Sequence, residues 1–132
     1  TGVLSIFAQQ LLEGKELAIF EDGDIARDFV YVDDVVDALV RAGEKALPHG
    51  TVLDIGMGHA ATILEVAKSL MKALGRSQDA YTINGAFRVG DIRHACADIE
   101  AARKLLDWKP KVSVEEGLTR LARWARSQFE NA

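Results

Sequence analysis

Residues 51–75 constrain the fold more than any other stretch of this 132-residue chain. An apolar run, TVLDI, leads into a glycine loop, GMGHAA, and then into a helical pattern that sets Leu64, Ala67, Leu70, Met71 and Leu74 on one face. Thr62, followed three residues later by Glu65, carries the signature of a capping box, so the helix is predicted to start there and to run to Gly75. A buried-looking strand turning tightly into an amphipathic helix makes the chain a mixture of α and β structure.

The loop poses a question of function. Gly56, Gly58 and the small Ala61 have the spacing of a dinucleotide fingerprint, in which free N–H groups at a helix N-terminus meet a pyrophosphate. Here the predicted capping box already serves the donors at the helix start, and Gly-x-Gly alone is a weak signal that recurs by chance. The other reading is a tight turn that lets the strand end approach something closely.

Short helices and strands alternate along the rest of the chain. Residues 3–12 place Val3, Ile6, Phe7 and Leu11 on one helical face, with Gly14 where a left-handed cap would sit and the helix ending near Glu13. ELAIF (16–20) reads as a strand, EDGD (21–24) as a turn, and RDFVYV (27–32) as a second strand with Phe29 and Tyr31 on one face. These two strands form a hairpin or flank a longer loop. Asp33 or Asp34 is expected to cap a helix with the apolar stripe Val35, Val36, Leu39 and Val40, closed off by Pro48 and Gly50. YTI (81–83) reads as another strand, and residues 88–98 as a loop entering an extended segment. Asp98 can cap the helix IEAARKLLDW, and Ser113 with Glu116 makes a second capping box for a last helix whose Leu118, Leu121, Ala122 and Ala125 face inward. With no repeat and no low-complexity linker, the expected class is mixed α/β in one domain, residues 1–132.

Composition narrows the partners. A hydrophobic share of 48% beside 27% charged residues suits a globular core. The apolar segments fall far short of a bilayer crossing, and the first ten residues lack the basic flank and cleavage pattern of a signal peptide, so neither a membrane span nor export is expected. A net charge of −4 argues against nucleic acid, whose phosphates require clustered Lys and Arg. The single cysteine, Cys96, cannot staple the fold internally, which fits a reducing compartment and makes the cytoplasm the expected location. The start at Thr1 without a methionine is in keeping with a piece of a longer protein.

Among the polar residues, Arg27 and Arg88 are the most informative. Each lies beside a strand-like segment and next to turn chemistry, and two converging guanidinium groups would bind a diphosphate in bidentate fashion. The plainer reading pairs Arg27 with Asp24 or Asp28, and Arg88 with Asp91, as surface salt bridges. The series Asp22, Asp24, Asp28, Asp33 and Asp34 lacks the glycine and terminal glutamate of a calcium loop, so capping and turn formation account for it. His94 and Cys96 share a face if extended, but with no third partner at a recognisable spacing they read as a solvated His and a packed Cys, and no metal site is expected. Neither Tyr31 nor Tyr81 is followed by a lysine four residues later.

RDFVYVDDVVDAL (27–39), LDIGMGHAATILEVA (53–67) and RVGDIRHACADIEAARKLLDWKP (88–110), in this order and spacing, resemble the C-terminal half of the NAD-dependent nucleotide-sugar epimerases and dehydratases. These are the extended short-chain dehydrogenase/reductase enzymes, with UDP-glucose 4-epimerase as the best-known type. The resemblance covers essentially the whole chain. It implies the small substrate-binding domain of that fold, without the N-terminal Rossmann half that binds NAD and carries the catalytic tyrosine and lysine. It therefore implies no catalytic and no cofactor-binding residue here, and makes LDIGMGHAAT a false fingerprint belonging to the substrate-binding portion.

By the same resemblance, Arg27, Arg88 and Asp91 reach the diphosphate and ribose of a nucleotide sugar, expected to be a UDP-sugar. Leu17, Ala18 and Phe20 flank the uridine, and Phe29 and Ile63 line the nucleotide. Two departures stand out: Glu21 replaces a glycine common in the first turn, and Val89 stands where proline is common. Such a piece is expected to be inactive alone, to expose the surface that meets its other half, and to self-associate. A reductase, decarboxylase or dehydratase of the same family, or a binding or regulatory module that kept the fold, are the other readings.

Overall fold

The computed structural model describes residues 2–130; Thr1, Asn131 and Ala132 lie outside the described residues. In chain order the elements are α1 (Val3–Leu12), β1 (Leu17–Ile19), β2 (Ala26–Arg27), α2 (Val32–Glu44), β3 (Ala61–Thr62), α3 (Ile63–Ala73), β4 (Tyr81–Ile83), α4 (Glu100–Leu106) and α5 (Val114–Glu130). The first helix stops where glycine allows it: Gly14 takes a φ of 78°, and the N–H of Lys15 reaches back to the Gln10 carbonyl at 2.9 Å. At the start of α3 the capping box is complete, with Thr62 Oγ1 accepting from the Glu65 N–H at 3.1 Å and the Glu65 carboxylate accepting from the Thr62 N–H at 2.8 Å.

The strands pair in two separate ladders. β1 lies parallel to β4, Leu17 opposite Tyr81, with α3 inside the crossover between them, and β2 runs antiparallel to β3, Arg27 opposite Ala61. The two early strands therefore neither form a hairpin nor pair with each other. Two of the expected strands are also cut short. The ladder of β2 ends at Arg27, because Asp28 turns its carboxylate onto other backbone segments and Tyr31 already serves as the N-cap of α2. Residues 51–55 join no ladder: Leu53 and Ile55 pack on a core cluster while Val52 is 86% exposed, an alternating pattern with no strand beside it among the described residues.

Three helix starts differ from expectation. Asp33 and Asp34 fall in the first turn of α2 rather than at its cap, and the buried Asp34 carboxylate accepts instead from the N–H groups of Lys111 (3.1 Å) and Val112 (2.9 Å). Ile99 is the N-cap of α4, and Asp98 accepts the Glu100 N–H at 3.0 Å from one residue earlier. At α5, Ser113 Oγ accepts from the Glu116 N–H at 3.2 Å, while the Glu116 carboxylate pairs with Arg120 at 2.9 Å. Helix α4 also ends before Trp108, since Asp107 adopts a left-handed φ of 52° and Arg41 caps its carbonyl at 2.7 Å.

The larger core cluster joins Phe7, Ala8 and Leu11 of α1, Leu17 and Ile19 of β1, Ala67, Leu70 and Met71 of α3, and Ala122 and Ala125 of α5. Each buried Leu, Ile or Met there contributes about 1.5–3 kcal/mol of transfer free energy. A second cluster gathers Ala38, Ile99, Ala102, Leu106 and Trp108, with the Trp108 indole N–H donating to the Asp34 carbonyl at 3.0 Å. The apolar stripe of α2 does not face the core. Ala38 makes the contact with α4, and Val36, Leu39 and Val40 are 50%, 66% and 53% exposed. No helix among the described residues is long and apolar enough to cross a membrane.

Candidate functional site

Arg27 stands in the middle of a small three-segment layer. On one side β2 pairs with β3; on the other Ala26 bridges to His94, its N–H donating to the Arg93 carbonyl (2.9 Å) and its carbonyl accepting from the Ala95 N–H (3.1 Å). From this central position the guanidinium donates Nη2–H to Asp91 Oδ1 at 2.6 Å and Nη1–H to the Ala26 carbonyl at 2.9 Å. The pairing with Asp24 or Asp28 suggested by sequence proximity is therefore replaced by a partner 64 residues away.

Asp91 is delivered by a tight turn. Its N–H donates to the Arg88 carbonyl at 3.1 Å, and Gly90, at a φ of 85°, takes the third position, which only glycine adopts readily. Val89 is the second residue of this turn, where proline is favoured by its fixed φ, so the departure from the family pattern keeps the geometry. Arg88 is not paired with Asp91 as a salt bridge; its guanidinium stands over the Phe20 ring, 5.8 Å from the centroid. Backbone pairing keeps that ring near the turn: the Asn84 N–H donates to the Ile19 carbonyl at 3.1 Å and the Glu21 N–H to Ala86 at 2.8 Å. The turn thus carries two contacts, the half-buried Arg27 on Asp91 and the exposed Arg88 on Phe20, linked through the Asp91 N–H to the Arg88 carbonyl.

The remaining candidates are placed differently. Leu17 is wholly inside the core, whereas Ala18 lies on the exposed face of β1 and Phe20, one residue past its end, is also exposed. Ile63 packs partly on the larger core at the start of α3, its N–H donating to the Ile25 carbonyl at 2.8 Å. Phe29 lines a separate apolar groove of about 230 Å³ with Leu4, Tyr31, Gly117, Leu118 and Leu121.

Asp28 was read from the sequence as a salt-bridge partner of Arg27 and as one of an acidic series serving caps and turns. In the structure its carboxylate accepts from the N–H groups of Met57 (2.6 Å), Gly58 (3.0 Å) and Ala97 (3.3 Å). The close approach allowed by the glycine loop is thus made to this carboxylate. Two of the loop's N–H groups, those of Met57 and Gly58, are already held by an aspartate. The signal that points to Asp28 is the loop itself, since clustered backbone donors need an anion when no ligand supplies one.

Around these residues, charge is largely paired. Arg93 bonds Asp22 and, at 2.9 Å, Glu21; the hydrogen bond to Arg93 holds the Asp22 carboxyl below its usual range, and the same bond raises Arg93. Glu21, in place of glycine, keeps the turn by adopting a φ of 50°. Cys96 is exposed rather than packed, and partial desolvation, followed by the Asp28 carboxylate, holds its thiol above the usual value.

The order of these segments matches known proteins. Residues 1–121 fit the model of the family described as GDP-mannose 4,6 dehydratase. The chain belongs to that family. It is similar to a dTDP-L-rhamnose 4-epimerase of Burkholderia thailandensis, 36% identical over 130 residues that cover 98% of this chain and 35% of the relative. A solved UDP-glucose 4-epimerase from Thermotoga maritima with UDP-glucose is 38% identical at a TM-score of 0.86, covering 98% of this chain and 40% of that one. A dTDP-glucose 4,6-dehydratase from Bacillus anthracis in complex with NAD is 26% identical at a TM-score of 0.87, with 98% and 40% coverage. Members of the family are thus nucleotide-sugar epimerases and dehydratases that use NAD, and this chain corresponds to their C-terminal part, a mixed α/β partial domain of the extended short-chain dehydrogenase/reductase fold. It spans about 35–40% of the length of the relatives it matches.

Proposed function

We propose that this chain is the nucleotide-sugar-binding portion of an NAD-dependent epimerase of the UDP-glucose 4-epimerase type. The observation that supports this reading is the Arg27–Asp91 pair, with Asp91 delivered by a turn whose first residue is Arg88. In this reading the two guanidinium groups hold the diphosphate, and Asp91, which also orients Arg27, accepts from the ribose hydroxyls. Ala18 and, just beyond β1, Phe20 flank the base, and Leu17 supports them from the core. A diphosphate competes with Asp91 for the Arg27 Nη2–H, so binding exchanges one charge-assisted bond for another and gains from the second phosphate.

Two N–H groups of the glycine loop are held by Asp28, and the cofactor, with the tyrosine and lysine that move the proton, is assigned to the remainder of the enzyme. NAD supplies hydride transfer when bound there. The residues of this chain bind and orient the sugar nucleotide, so their share of the rate is positioning. By itself the chain turns nothing over. The exposed α2 face of Val36, Leu39 and Val40, and the unpaired segment 51–55, supply the surface on which the NAD-binding half is seated.

The test is calorimetric titration of UDP, UDP-glucose and dTDP into the complete protein, followed by an epimerase assay of the complete protein and of residues 1–132 alone. UDP binding, with turnover only in the complete protein, is expected. Absence of nucleotide binding overturns the reading in favour of a module that kept the fold without the ligand, and turnover by residues 1–132 alone overturns the division of labour.

A further inference from the structure

We infer that Asp28 is a positioning residue for the Arg27–Asp91 pair, acting through backbone hydrogen bonds on both flanks of β2. This inference rests on the nucleotide-binding reading above. Its basis is the three-segment layer around Arg27. One neighbour of β2 is β3, entered from the glycine loop, whose Met57 and Gly58 N–H groups donate to the Asp28 carboxylate at 2.6 and 3.0 Å. The other neighbour is the extended segment after the Arg88–Asp91 turn, whose Ala97 N–H donates to the same carboxylate at 3.3 Å. One side chain, directly following Arg27, therefore ties down the segment that opposes Arg27 and the segment that delivers Asp91.

The carboxylate is suited to this and its isosteres are not. Oδ1 accepts from Met57, and Oδ2 accepts from both Gly58 and Ala97, so three N–H donors, with the Cys96 thiol at 3.9 Å from Oδ2, converge on two acceptor atoms. An asparagine must turn an NH₂ group toward at least one of those donors and leave it unpaired. A longer glutamate would carry its carboxylate past these donors toward the Gly56 backbone, which runs so close that a Cβ placed on Gly56 would stand 2.6 Å from Oδ2. The cost of ordering Arg27 for a phosphate is thus met before the ligand arrives, which is how preorganisation raises affinity.

The experiment is a double-mutant cycle on UDP affinity in the complete protein, using Asp28→Asn, Arg27→Ala and the double variant, with circular dichroism confirming the fold of each. Asp28→Asn alone is expected to weaken UDP about tenfold, the scale of one charge-assisted hydrogen bond. In the Arg27→Ala background it is expected to add nothing, because its effect passes through Arg27. Full additivity, or unchanged affinity in Asp28→Asn while Arg27→Ala weakens UDP, overturns the positioning role and leaves the nucleotide reading intact. Unchanged affinity in Arg27→Ala removes Arg27 from the site and overturns the positioning role with it, whereas absence of UDP binding by the wild-type protein overturns the nucleotide reading itself. A wild-type measurement stands beside these should Asp28→Asn not fold: UDP is expected to slow amide hydrogen exchange at Met57, Gly58 and Ala97, and unaltered exchange at all three overturns the inference.

Discussion

The backbone of Gly56 passes so close to Asp28 that a Cβ on the glycine would lie 2.6 Å from the carboxylate Oδ2 and 2.6 Å from the Ala97 Cβ. Glycine is required here by this approach and not by its backbone angles, since Gly56 is absent from the positive-φ positions that include Gly58 at 76°. Gly56→Ala should therefore destabilise the chain by about 1–3 kcal/mol, the cost of overpacking. Gly43→Ala is the control: it lies within α2 with nothing within 4 Å of its Cβ position, and should stabilise by up to about 1 kcal/mol. Urea denaturation of both variants checks the pair.

Asp34 anchors the segment between α4 and α5. Asp34→Ala leaves the N–H groups of Lys111 and Val112 without their acceptor and should cost about 2–4 kcal/mol. Asp33→Ala, whose neighbouring carboxylate is 69% exposed and only loosely paired with Arg120, should stay within about 0.5 kcal/mol. Equal losses in the two variants would show that the buried contact contributes nothing of its own.

Arg27→Ala or Arg88→Ala in the complete protein should weaken UDP binding by about 1.5–3 kcal/mol, the range of a lost charge-assisted hydrogen bond. Calorimetry showing unchanged affinity in both removes them from the site.

Acid should destabilise the turn of residues 21–24. The Asp22 carboxyl is held below its ordinary value, first by the Arg93 hydrogen bond and then by the Asp24 N–H. Its folded pKa is thus below its unfolded one, so the stability it contributes is present above about pH 4 and is lost as pH falls through the folded value. Asp37, lowered chiefly by Lys111, acts in the same direction. Denaturation midpoints compared at neutral and acid pH should show a smaller acid loss in Arg93→Ala than in the wild type, and an identical loss would refute the assignment.

Leu39→Lys with Val40→Lys should leave the stability of residues 1–132 within about 0.5 kcal/mol, because both side chains are exposed. The same change should abolish self-association in analytical ultracentrifugation, and a strictly monomeric wild type would count against that surface.

What could be read along the chain was whatever near neighbours decide. The Thr62–Glu65 box, the glycine end of α1, the burial of Leu70, Met71 and Ala122, and the arginines set beside turns all depend on residues within about one or two helical turns of each other. Periodicity and capping are local physics, so they survive in the one-dimensional record. Long-range pairing is not recorded there. Nothing local distinguishes the Arg27–Asp91 bond from one to Asp24 or Asp28, nor shows that Asp28 faces the glycine loop, nor that Asp34 leaves its helix cap for a segment 77 residues on. Those choices depend on which backbone donors the packed helices bring within 3 Å or so of a carboxylate, and only the tertiary structure sets that distance. The same reason explains α2 and residues 51–55: sequence shows that they are apolar, but the surface that would cover them has to be present in space before they can be buried.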